Sequence, residues 1–212
     1  MSSESARPLL EVALVLGLAV SIPTLVQYTR LEGPLSTYIT QIVFMGITFV
    51  LVVSGRLPLS SFKPPMASHT PYLLALSAAT VAVAQSAAYA VMYIGSPPQE
   101  YLENLKAITP TSPASLIILI TLTWLVVAPA EETVFRGLVF RNLNSLMGFT
   151  PALVVSAALF SLAHLDIWRL LPTMAVGIST TMAYHRTGTL LAAIMVHGVN
   201  NTVALLLSHL LS

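Results

Sequence analysis

The chain has 212 residues, of which 56% are hydrophobic and 8% charged, and its mean hydropathy is +0.84. Soluble domains carry about 25% charged residues, so water cannot be the solvent for most of this surface and lipid must replace it. A net charge of +1 without any Lys/Arg run gives no sign of a nucleic-acid partner, which is set aside, and a chain without cysteine excludes disulfides, thiolate metal sites and a cysteine nucleophile.

A bilayer core of about 30 Å needs roughly 20 predominantly apolar helical residues. By that standard the sequence predicts an all-α, polytopic membrane bundle of seven spans: residues 9–28, 38–54, 71–94, 115–142, 151–165, 170–184 and 189–211. An eighth or re-entrant segment would change only the C-terminal side. The first span is long for a signal-peptide core and lacks a small-residue cleavage site, so it reads as retained. Polar, proline-bearing loops at 56–70 and 96–113 part an N-terminal region of three spans (1–114) from a back region of four (115–212), the two forming one membrane domain. The fifth and sixth spans are short and meet at Asp166, Trp168 and Arg169, which read as an interfacial turn. With the N-terminus inside, Arg7, Arg56, Lys63, Arg141 and Arg186 are cytoplasmic, and Arg30, Lys106 and Arg169 lie opposite. Five against three favours a cytoplasmic N-terminus in a cell membrane.

The fourth span interrupts its apolar run with Glu131, Glu132 and Arg136. A charged side chain at the middle of a spanning helix costs about 2.5–3.5 kcal/mol on insertion scales, so such groups face a protein interior or a water-filled cavity and mark function. Glu132 and Arg136 are four apart and share a helix face, where they can pair; Glu131 is turned about 100° away and stays available. Pro129 predicts a kink that frees a backbone carbonyl near the cluster. His164 in the fifth span, and His197 with Asn201 on one face of the last, complete the set. Counted from the cytoplasmic ends, Glu131 is about ten residues deep, His197 about eight and His164 about thirteen, or roughly 12–20 Å. Small residues flank the cluster (Ala128, Ala130, Gly137, Ala163, Ala192, Ala193, Gly198) and permit close helix approach.

Each group alone has a plainer role, as a packing ion pair or a satisfied core histidine; the common depth favours a shared site. His69, His185 and His209, in a loop or near span ends, are set aside, and Asp166, Arg169, Trp124 and Trp168 read as interfacial or packing residues. A glutamate with a histidine can activate water, and a second histidine with an asparagine can donate hydrogen bonds to the oxyanion of a tetrahedral intermediate. That is the outline of amide hydrolysis without a cofactor. The same residues allow a zinc alternative, with His164, His197 and Glu131 as three ligands and water as the fourth. No His-Glu-x-x-His pattern accompanies them, and the metal-free chemistry is preferred.

In chain order, Glu131-Glu132-Thr133-Val134-Phe135-Arg136, Phe160-Ser161-Leu162-Ala163-His164 and His197-Gly198-Val199-Asn200-Asn201 follow the patterns Glu-Glu-x-x-x-Arg, Phe-x-x-x-His and His-x-x-x-Asn. In these motifs, over about residues 115–207, the chain resembles the CAAX-protease and bacteriocin-processing (CPBP, or Abi) intramembrane proteases, which include the Ras-converting CAAX endopeptidase. The resemblance implies a helical membrane core with a conical cavity open to the cytosol. It implies that Glu131 and His164 activate water, that His197 and Asn201 hold the oxyanion, and that Glu132 with Arg136 orders the fourth helix. The implied partners are membrane lipid and a peptide or membrane-anchored protein substrate, CAAX-type or lipidated. Members are described both as metalloproteases and as glutamate-type proteases. Two other functions compete: a non-catalytic scaffold or bacteriocin-immunity factor that sequesters a peptide, and a proton-coupled transporter, against which stands the lack of an inverted repeat.

Overall fold

A computed structural model describes residues 3–28 and 34–211; Arg30, one of the charges used to orient the chain, lies outside them. Among the described residues all regular structure is helical. The helices are α1 (Ser3–Tyr28), α2 (Pro34–Val53), α3 (Thr70–Gly95), α4 (Gln99–Ile108), α5 (Pro113–Met147), α6 (Phe149–Leu162), α7 (Leu170–Thr187) and α8 (Leu190–Leu211). By length and apolarity, the segments Ala67–Gly95, Pro113–Met147 and Leu190–Leu211 are each sufficient to cross a membrane, and Tyr38–Val53 and Phe149–Leu162 are shorter apolar helices.

Around an apolar core, burial departs from that of a soluble protein in two ways: large apolar side chains are exposed and charged ones buried. Phe49, Leu125 and Tyr93 are 68%, 67% and 78% exposed, whereas Glu132 and Arg136 are 0% and 1% exposed. Apolar side chains facing outward and ions facing inward suit a lipid solvent, where polar groups must find partners inside the bundle. Two buried hydroxyls follow the same rule: Thr80 donates to the Leu76 carbonyl at 2.7 Å and Thr181 to the Gly177 carbonyl at 2.8 Å. The chain is an integral membrane protein on these grounds.

Local chemistry sets the helix ends. Ser112 caps α5 through a reciprocal pair of bonds with Ser115, and Pro113 occupies the first turn, where its missing N–H costs nothing. Gly148 alone joins α5 to α6, at φ +79°, a conformation that glycine adopts without a Cβ clash. At the start of α8, the Thr189 hydroxyl accepts from the Leu191 N–H at 3.2 Å and donates to the Lys63 carbonyl, tying the helix to the 56–70 loop.

Three boundaries differ from the sequence-based expectation. The 96–113 loop contains α4, an amphipathic helix bounded by Pro98 and Pro110 whose Tyr101 ring lies 6.0 Å from that of Trp168. Its polar face hides it from a hydropathy criterion. Helix α5 runs five residues past the expected 142, stopping only where Gly148 allows reversal. Helix α6 ends at Leu162, so His164 lies in the following turn rather than in a helix. The His164 N–H donates to the Ser161 carbonyl at 3.2 Å, and the backbone reverses at Leu165, φ +52°.

Helices α6 and α7 meet at Gly177, where an added Cβ would come within 3.1 Å of the Ala157 Cα and 3.2 Å of its Cβ. Backbone cannot yield as a flexible side chain does. Gly177→Val is therefore expected to destabilise the bundle by about 1–3 kcal/mol, the usual cost of overpacking, as read from reversible unfolding in detergent; an unchanged midpoint would mean that the helices are not in contact there.

Candidate active site

Helix α5 carries the acidic pair on an irregular backbone. Its α-helical stretch Ala128–Val134 is flanked by π turns at Thr123–Val127 and Phe135–Phe140. Pro129 has no N–H for the carbonyl four residues back and would clash with it; the wider π turn immediately upstream, where the Ala128 N–H reaches the Thr123 carbonyl, accommodates the ring. Such turns are frequent at functional sites. Here they bracket Glu131 and Glu132.

Glu132 and Arg136 form the expected pair, with Nε and Oε2 3.1 Å apart and both side chains almost fully buried. The two atoms are close but not aligned as a hydrogen bond. The guanidinium is anchored elsewhere: Nη2 donates to the Gly177 carbonyl at 3.0 Å, and Cζ lies 4.5 Å from the Phe160 ring centroid. Glu132 has a second partner that spacing on one helix could not show, since its Oε1 lies 2.6 Å from Nδ1 of His197. Paired with Arg136, Glu132 is an acceptor, so Nδ1 carries the proton and Nε2 faces Glu131, at 3.9 Å from Oε2.

The same logic fixes His164. Its Nδ1 lies 2.8 Å from the Phe160 carbonyl, which can only accept, so the proton is on Nδ1 and the Nε2 lone pair is available. Phe160 organises both imidazoles, with ring centroids 5.0 Å from His164 and 5.9 Å from His197, in edge-on geometry. His164 is within electrostatic range of Glu131 and His197. Thus α5, α6 and α8 bring Glu131, Glu132, Arg136, His164 and His197 to one place. Asn201 lies on α8, four residues beyond His197, its Oδ1 accepting from Asn200 Nδ2 at 3.2 Å.

Sequence reasoning missed three amides. Gln41 on α2 donates from Nε2 to Glu131 Oε1 at 3.1 Å. Gln85 on α3 donates to Asn200 Oδ1 at 3.2 Å, and Asn200 is 5% exposed. A signal was present: Gln41 and Gln85 are the single carboxamides of their apolar spans, and a polar side chain in a span demands a partner.

Several of the residues set aside make structural contacts. Trp124 donates to the Thr202 hydroxyl at 3.0 Å and packs on Gly198; His185 stacks on Phe149 at 4.1 Å; His209 Nδ1 lies 2.7 Å from the Pro110 carbonyl; Asp166 accepts from the Trp168 N–H at 2.9 Å. As for the zinc alternative, no group of three His, Asp or Glu side chains placed to hold a metal ion is found among the described residues.

The family model for type II CAAX prenyl endopeptidases, Rce1-like, matches residues 113–203, a stretch that spans α5 to α8 and contains all three motifs. Over these residues the chain is similar to the Rce1-like CAAX endopeptidases. The family implies a protease of the CAAX intramembrane endopeptidase kind, acting on a membrane-associated peptide or protein. No curated protein and no solved structure was found to match the chain. Helices α1 to α4 lie before the matched segment, yet α2 and α3 supply Gln41 and Gln85 to its residues.

Proposed function

We propose that the protein is an intramembrane endopeptidase that hydrolyses a peptide bond of a membrane-anchored substrate, CAAX-type or otherwise lipidated, with water activated by Glu131 and His164. The observation that carries this reading is the buried cluster itself: Glu131 faces Nε2 of His197 at 3.9 Å, inside an apolar bundle, and is held from behind by Gln41. Glu131, with the Nε2 lone pair of His164, takes a proton from water as its oxygen attacks the scissile carbonyl carbon. The carbonyl π pair moves to oxygen, and the oxyanion is held by His197 Nε2–H and Asn201 Nδ2–H. Collapse restores the C=O, breaks the C–N bond and returns the proton from Glu131 to the leaving amine. Because Nδ1–H of His197 is committed to Glu132, the ring must be doubly protonated to donate from Nε2, and an imidazolium there would lie between two carboxylates.

We further place the cluster in a cavity open to the cytosol and the N-terminus on the cytoplasmic side of a cell membrane. Purified protein is expected to cut a prenylated or acylated peptide, and to do so equally with and without chelator. Loss of cleavage on chelation, with recovery on adding zinc, would replace the metal-free mechanism. Peptide binding without cleavage across the substrate series would favour a scaffold or immunity role.

A further inference from the structure

Resting on the protease reading above, we propose that Gln85 of α3 and Asn200 of α8 are positioning residues that turn the Asn201 carboxamide so that its NH2, not its oxygen, is presented to the oxyanion. A carboxamide has a donor end and an acceptor end of nearly equal shape, and the wrong end would place a lone pair against a developing negative charge. Something must therefore fix the polarity of Asn201. The structure contains a relay that does so. Gln85 Nε2 donates to Asn200 Oδ1 at 3.2 Å, and Asn200 Nδ2 donates to Asn201 Oδ1 at 3.2 Å. The oxygens of Asn200 and Asn201 are each occupied by the donor before them, so that the last NH2, that of Asn201, is the end left to face the oxyanion.

Asn200 is 5% exposed, and with Gln85 and Asn201 held as they stand a turn of its amide alone would set NH2 against NH2 at Gln85 and oxygen against oxygen at Asn201. The relay begins on α3, outside the family-matched residues 113–203, and gives that helix a part in the chemistry. Packing alone would need only some bond between α3 and α8. Orientation needs this direction of bonding, and direction is what an isosteric acid alters. Asn200→Asp keeps size and shape but, ionised, only accepts. It would take both the Gln85 NH2 and the Asn201 NH2, turning Asn201 around. Asn200→Leu removes both bonds and leaves Asn201 free to rotate.

Two measurements on the full-length protein in lipid nanodiscs test this. With side-chain amides labelled with 15N, the Asn201 NH2 signal is expected to move on Asn200→Asp as one proton bonds to the carboxylate, and to move back as the carboxyl is protonated. An Asn201 signal indifferent to Asn200→Asp overturns the proposal whether or not the protein cleaves anything. In peptide cleavage at a pH where the new carboxyl is ionised, Asn200→Asp is expected to lower kcat by about 10²–10³, as for loss of one oxyanion donor, while Asn200→Leu costs only about tenfold and KM stays within about twofold in both. Equal losses in the two variants, or KM rising in step, would mean packing and not orientation. A wild-type protein that cleaves nothing while its Asn201 signal responds as described would reject the protease reading and leave the relay standing.

Discussion

Replacing Glu131 by glutamine is expected to reduce peptide cleavage by about 10²–10⁴, the range for loss of a positioned general base. The substitution keeps the volume of the side chain in a site where it is 7% exposed and leaves the Glu132–Arg136 pair untouched. What is lost is the negative charge that takes the proton from water; the amide oxygen can still accept from Gln41 Nε2, 3.1 Å from Glu131 Oε1. His164→Ala is expected to fall into the same range, because its Nε2 lone pair serves the same water. Groups that act as a unit are not additive, so the double variant should be little slower than either single one. Single-turnover cleavage of a lipidated peptide in nanodiscs reads this. Undiminished cleavage by Glu131→Gln, or losses that multiply in the double variant, would remove the water-activating pair from the mechanism.

The largest effect on stability is expected at Arg136. Its guanidinium is 1% exposed and faces the carboxylate of Glu132, which is 0% exposed. Arg136→Met removes the cation and leaves Glu132 buried with His197 as its remaining partner, at a cost of about 3–5 kcal/mol for a broken buried pair. Neutralising both partners removes the stranded charge. Arg136→Met with Glu132→Gln should therefore recover most of that stability in reversible unfolding. It should not recover activity, because an amide opposite Nδ1 of His197 no longer supplies the negative charge that favours the imidazolium needed for donation from Nε2. A double variant as unstable as the single one would show that the Gly177 carbonyl bond and the Phe160 face, not charge pairing, hold Arg136.

The composition of the chain decided its solvent. With 8% charged residues, the sequence admits few arrangements other than apolar helices in lipid, and the expense of burying Glu131, Glu132, Arg136, His164 and His197 marked them as a group before any contact was known. Spacing of four also predicted the Glu132–Arg136 contact, since it depends only on helix geometry. Periodicity within one helix is silent about what faces that helix. For that reason Glu132, expected only to order α5, proved also to hold Nδ1 of His197, and the proton positions on both imidazoles follow from partners, Glu132 and the Phe160 carbonyl, whose proximity is a matter of packing or of a turn.

The amphipathic α4 and the turn that carries His164 were missed for related reasons. Hydropathy detects spans and not short polar helices, and where α6 stops is settled by the reversal at Leu165, φ +52°, which apolar sequence does not announce. The sequence alone thus determined the solvent, the helical class and the list of expensive residues, because each is a property of residues taken singly or along one helix. Only the tertiary structure decided which oxygen meets which nitrogen. Gln41 against Glu131 and Gln85 against Asn200 join residues 90 and 115 positions apart, and no local rule relates positions so distant until the helices have packed.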